Sequence, residues 1–122
     1  MAVTTGTTWD IVLSNAPVST TPRAAVSPRA AYQAALYGRA VLVDLRTARR
    51  RDRDGDLPPE VATVVVDRLE LGVWLRESLA SRVFLVDDDG ARAGRLARGG
   101  DPRVTSVEGG FTGWLAAGLP AA

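Results

Sequence analysis

Three consecutive aspartates, Asp87, Asp88 and Asp89, run into Gly90, Ala91 and Arg92, and this stretch concentrates groups able to do chemistry. Like charges within a few ångströms raise the pKa of one carboxyl, and a guanidinium lowers that of another, so identical side chains can act as acid and base. On that reading Asp87 and Asp89 serve as general acid and base for a small substrate, and Arg92 positions an anion. The same carboxylates can instead accept the backbone N–H groups of the following turn, so that the loop is filled by its own side chains. Cation binding by the aspartates is a third use. If the loop is silent, relief of like-charge repulsion predicts that Asp87→Ala leaves stability unchanged or raises it.

Composition narrows the chemistry further. The 122 residues include no cysteine, histidine or lysine, and all 15 basic residues are arginine. Without thiols there is no redox dithiol, persulfide carrier or thiolate zinc site. Without imidazole there is no histidine base or Ser/His/Asp triad, and without lysine no Schiff base or phosphate-loop lysine. Asp, Glu, Arg, Tyr, Ser, Thr and backbone amides remain, and no cofactor or metal centre is expected. Fourteen acids leave a net charge of +1, which argues against nucleic acid as a partner. The run Arg49, Arg50, Arg51 and Arg53 alternates with acids and lacks interleaved aromatics, so it reads as a solvated surface. Tyr32 and Tyr37 offer only weak catalytic candidates. No apolar run is long enough to span a membrane and no leader pattern opens the sequence, which makes a cytoplasmic location the expectation.

The elements that must position these groups follow from periodicity. Residues 1–26 read as an extended Thr/Ser/Pro-rich arm with an apolar knot, Trp9 to Leu13, suited to docking on the body or to holding a homodimer. The body, residues 27–122, opens with Ser27 as N-cap and Pro28 as first helical residue, and Ala31, Ala34, Ala35 and Leu36 form one apolar face before Gly38. Val41 to Asp44 is a short strand. Arg46 to Arg53 and the turn-rich Asp54 to Pro59 read as surface connection. The continuous apolar run Ala62 to Val66 predicts a strand buried on both faces, after which Asp67 caps a helix carrying Leu69, Leu71, Val73, Trp74 and Leu75. Val83 to Val86 and Val104 to Val107 are further strands, with an amphipathic helix between them. Apolar strands alternating with helices predict an open parallel sheet covered on both faces, with ligands bound at the carboxyl ends of its strands. The expected site therefore draws on residues 44–53, 67 onward and 87–92, with Arg46, Asp67 and the loop Asp87, Asp88, Asp89, Gly90, Ala91 and Arg92 as its candidates.

Three stretches resemble the rhodanese family of single-domain sulfurtransferase-like proteins. They are Val41-Leu42-Val43-Asp44-Leu45-Arg46-Thr47 with the later Gly55-Asp56-Leu57-Pro58, the strand Val83 to Val86 with its loop and helix, and Glu108-Gly109-Gly110-Phe111 with Trp114 and Gly118-Leu119-Pro120. The resemblance covers residues 27–122. It implies a five-stranded, mostly parallel sheet with helices on both faces, and it assigns Asp44 and Arg46 to fixing a strand exit. It also places the family's cysteine nucleophile at Asp87, its loop glycine at Gly90 and its closing arginine at Arg92. Asp56 stands where the family usually has histidine, and Arg49 to Arg51 stand where acids are usual. A carboxylate cannot carry sulfane sulfur, so the expectation is a cysteine-less binding or regulatory module for a small anionic ligand or a protein partner. The alternatives are an enzyme reusing the pocket for acid/base chemistry on a small metabolite, a bacterial biosynthetic step being one fit, and a structural homodimer subunit.

Overall fold

The computed structural model describes residues 25–122, so the arm segment Trp9 to Leu13 lies outside the described residues. The Ser27 hydroxyl accepts the N–H of Ala30 at 3.2 Å, and Pro28 opens α1 (Pro28–Leu36). Then follow β1 (Val41–Asp44), α2 (Ala48–Asp54), β2 (Thr63–Val65), a 3-10 turn (Arg68–Glu70) running into α3 (Leu71–Glu77), β3 (Val83–Val86), α4 (Ala91–Ala97), β4 (Val104–Ser106) and α5 (Gly110–Ala116).

The four strands form one sheet in the order β2-β1-β3-β4, with every pairing parallel. Consecutive side chains on a strand point to opposite faces. Leu42, Phe84 and Val86 therefore meet α1 and α5 through Ala31, Ala35, Phe111 and Trp114. Val43, Val83, Leu85 and Val104 meet the other helical layer through Leu71 and Ala93. This is the expected α/β architecture. A fifth strand is not among the described residues, although Val26 makes a single parallel bridge to Val107 beside β4.

Trp114 is fully buried, with Tyr32 edge-on at 5.8 Å, and its indole N–H donates to the Pro120 carbonyl at 2.8 Å. The Gly-Leu-Pro ending thus satisfies the one polar atom of the largest core side chain. Leu57 and Pro58 are buried as well, and Asp56 exchanges two backbone hydrogen bonds with Ala122.

Two elements differ from the sequence reading. Residues 48–54 are helical rather than irregular connection: Thr47 caps the helix by accepting the N–H of Arg50, and Gly55 ends it at φ 100°. No residue of α2 is buried, so it carries no apolar period by which it could be recognised. The run 62–66, expected to be buried on both faces, supplies the edge strand β2, whose Val65 is 54% exposed. An edge strand has a neighbour on one side only, and composition does not separate it from a central strand.

Candidate functional site

The carboxyl ends of β1 and β3 lie side by side, Asp44 opposite Val86, so the residues leaving the two strands share one end of the sheet. Arg46 turns back onto Asp44: its Nε donates to Oδ1 at 3.0 Å and its Nη2 to Oδ2 at 2.8 Å, with both side chains almost wholly buried. Asp44 also accepts the Arg46 backbone N–H at 3.0 Å. The guanidinium lies 3.8 Å from the centre of the Phe111 ring. A buried ion pair offsets its desolvation only when geometry and further contacts are good, and the fork geometry and aromatic face supply both. The Nη1 atom of Arg46 is buried without a hydrogen-bond partner.

The next strand exit carries the aspartates, and their roles diverge. Asp87 is buried, and its side chain turns inward: Oδ1 accepts the N–H of Gly90 at 2.5 Å, and Oδ2 accepts those of Arg92 and Ala93 at 2.9 and 3.0 Å. Asp88 points outward to Arg50, 3.1 Å from its Nη1, while its other oxygen is buried and unpartnered. Asp89 is exposed and accepts the N–H of Ala91 at 3.0 Å. The three carboxylates thus have three different sets of donors, and the loop interior is occupied by the Asp87 carboxylate.

The first turn of α5 roofs the loop. Phe111 N–H donates to the Asp87 carbonyl at 2.8 Å and Thr112 N–H to that of Asp88 at 3.0 Å. The approach is close enough to require glycine: a Cβ on Gly110, at φ 57°, would lie 2.6 Å from the Asp87 carbonyl oxygen and 2.7 Å from the Gly90 nitrogen.

Beside the loop is a cavity of about 320 Å³, lined by Arg46, Thr47, Arg50, Asp88, Arg92 and Arg95 among others. The structure therefore gathers Arg46 and the whole stretch 87–92. It does not bring in Asp67, whose Oδ1 accepts the Leu69 N–H at 2.8 Å and starts the 3-10 turn. Asp56, at the family's histidine position, is exposed and faces Arg51 at 3.6 Å. Thr47 and Arg50 fall within the expected 44–53 stretch, although the sequence reads Arg50 as part of a solvated run and Arg95 as solvent-facing. The signal for Arg50 and Thr47 was the cap: Thr47 starts α2 at the exit of β1, which carries Arg50 to the cavity mouth. On the far end of α2, the hydrogen bond from Arg53 holds the Asp54 carboxyl below the usual carboxylate range. Among the described residues no group of three or more acidic side chains is arranged to hold a metal ion, and no helix is long and apolar enough to cross a membrane.

No family model matches the chain, and no curated protein matches it. Solved structures do. A rhodanese-related protein from Thermoplasma volcanium is similar with a TM-score of 0.61 and 17% identity, over 82% of this chain and 98% of that one. The fold is rhodanese-like. A protein of unknown function from Rhodopseudomonas palustris, described as a possible tyrosine phosphatase, is similar to this rhodanese-like domain with a TM-score of 0.67 and 25% identity, over 80% of this chain and 83% of that one. Thiosulfate sulfurtransferase from Pseudomonas aeruginosa is similar with a TM-score of 0.53 and 24% identity, covering 89% of this chain but 21% of that one. Within the rhodanese-like fold this chain has no cysteine at any of its 122 positions.

Proposed function

We propose that this rhodanese-like domain is a binding module without catalytic turnover, in which Asp87 replaces an exchangeable ligand with a built-in one. The carrying observation is the Asp87 carboxylate itself, which takes the N–H groups of Gly90, Arg92 and Ala93. Backbone donors that could cradle an incoming anion are already engaged by the Asp87 carboxylate, both of whose oxygens accept backbone N–H groups. Arg46 is matched by Asp44 and Arg50 by Asp88, which leaves recognition to the exposed rim of the loop and the helix behind it.

Thermal unfolding of Asp87→Gly with and without sodium formate tests this reading. Removal of the carboxylate orphans three buried or half-buried donors, so the variant should lose about 1–3 kcal/mol, not gain stability as relief of charge repulsion would predict. Formate should restore part of the loss in the variant and leave the parent chain unchanged. If the parent chain itself takes up formate or sulfate at this loop, seen as amide shifts of Gly90 and Ala93, the nest is open. The acid/base enzyme using Asp87 or Asp89 with Arg92 is then the better reading.

A further inference from the structure

A depression next to the loop combines exposed leucines with arginines that make no ion pair. The side chain of Leu69, in the middle of the 3-10 turn, is 85% exposed, and Leu96 on α4 is 36% exposed. Together with Arg68, Arg92 and Arg95 they line a depression of about 260 Å³. Arg46, Arg50, Arg51, Arg53 and Arg103 each face an acid within 4 Å, whereas the other described arginines do not. The three around Leu69 and Leu96 have no ion pair or side-chain hydrogen bond among the described residues. Arg92 and Arg95 also line the cavity beside the aspartate loop, so the depression continues the rim of that site.

We infer that this face is the docking site for a partner's acidic segment with one aliphatic side chain between carboxylates. This rests on the non-catalytic reading and names the class of partner. Two leucines on an open surface offer an apolar seat the size of one aliphatic residue, and burying it removes water from both sides. Three guanidinium groups around that seat select carboxylates on the flanks and repel basic segments. Charge complementarity favours a partner over the first residues of this chain, since the only acid before Ala25 is Asp10.

The test uses the full chain, labelled for amide NMR, and a synthetic peptide Glu-Glu-Leu-Glu-Glu as probe. Saturable shifts are expected at Leu69, Arg92, Arg95 and Leu96, with affinity falling about tenfold when salt is raised from about 50 to about 500 mM. Leu69→Ser and Arg95→Gln change exposed side chains and leave the fold intact, and each should weaken binding about fivefold or more. The inference is overturned if the glycine-centred peptide Glu-Glu-Gly-Glu-Glu binds equally well, or if the two substitutions have no effect. Tighter peptide binding by Trp9→Ala would give the seat to the chain's own first residues, and concentration-dependent shifts without peptide would give it to a second copy. Either result overturns a partner segment as occupant. The formate measurement on Asp87→Gly reports on the loop interior alone, so the two readings fail separately.

Discussion

At the scale of single residues, Asp87 and Arg46 carry the two strand exits by opposite means. Arg46 is a buried cation held by Asp44 and by the Phe111 ring, so Arg46→Ala would leave the Asp44 carboxylate buried beside one backbone donor. Such uncompensated burial costs about 3–5 kcal/mol, and chemical denaturation should show a loss of that order. A loss below about 1 kcal/mol would mean the pair contributes little beyond its own desolvation. Asp87 is a buried anion held by backbone N–H groups, a geometry that suits any small anionic side-chain atom. Asp87→Cys should therefore place a thiol among donors that favour its thiolate. Because the chain has no other cysteine, alkylation reports on that thiol alone. Reaction with iodoacetamide near pH 6 should run faster than that of an ordinary thiol, and equal rates would show that the donors do not converge on the shorter side chain. Asp44 and Arg46 were legible only through the resemblance, which assigns the pair to fixing a strand exit. The inward turn of Asp87 was not, since a run of three aspartates carries no sign of which one is buried; that depends on the backbone direction after β3.

Among the elements, legibility tracked the presence of a buried face. α1 begins and ends where Ser27, Pro28 and Gly38 place it, and β1 and β3 fall on their apolar runs. α2 went unread because its residues are Ala, Arg and Asp with nothing buried, leaving only Thr47 and Gly55 as signals. β2 was read as central because Val64, Val65 and Val66 look alike in sequence, while only Val66 among them is buried. The junction between β3 and α5 is the most tightly specified of these connections. Gly110→Ala puts a methyl group against the Asp87 carbonyl and the Gly90 nitrogen, neither of which is a flexible side-chain end. The substitution should cost about 1–3 kcal/mol by crowding, with added strain from the positive φ. Gly118→Ala is the control: its Cβ meets nothing within 4 Å, so only the φ of 75° opposes it and the loss should be smaller. Equal losses in the two variants would remove the close approach as the cause.

For the whole molecule, the parallel sheet and the two helical layers were legible because alternating apolar strands and helices leave few arrangements, whereas the strand order came only from the structure. The pocket's state was not legible, because the same fold accommodates an open or a filled loop. The backbone bond from Phe111 to Asp87, together with the Phe111 ring under Arg46, ties the exits of β1 and β3 to the C-terminal helix. The consequence is mechanical: the loop cannot open as a flap on its own, because releasing it also releases Phe111. Hydrogen exchange reads this directly. The amides of Gly90, Ala93 and Phe111 should exchange with opening free energies within about 0.5 kcal/mol of one another. Gly90 and Ala93 exchanging far faster than Phe111 would show an independent flap. A domain built this way changes its loop only by loosening its core, so the surface around the loop is rigid rather than gated.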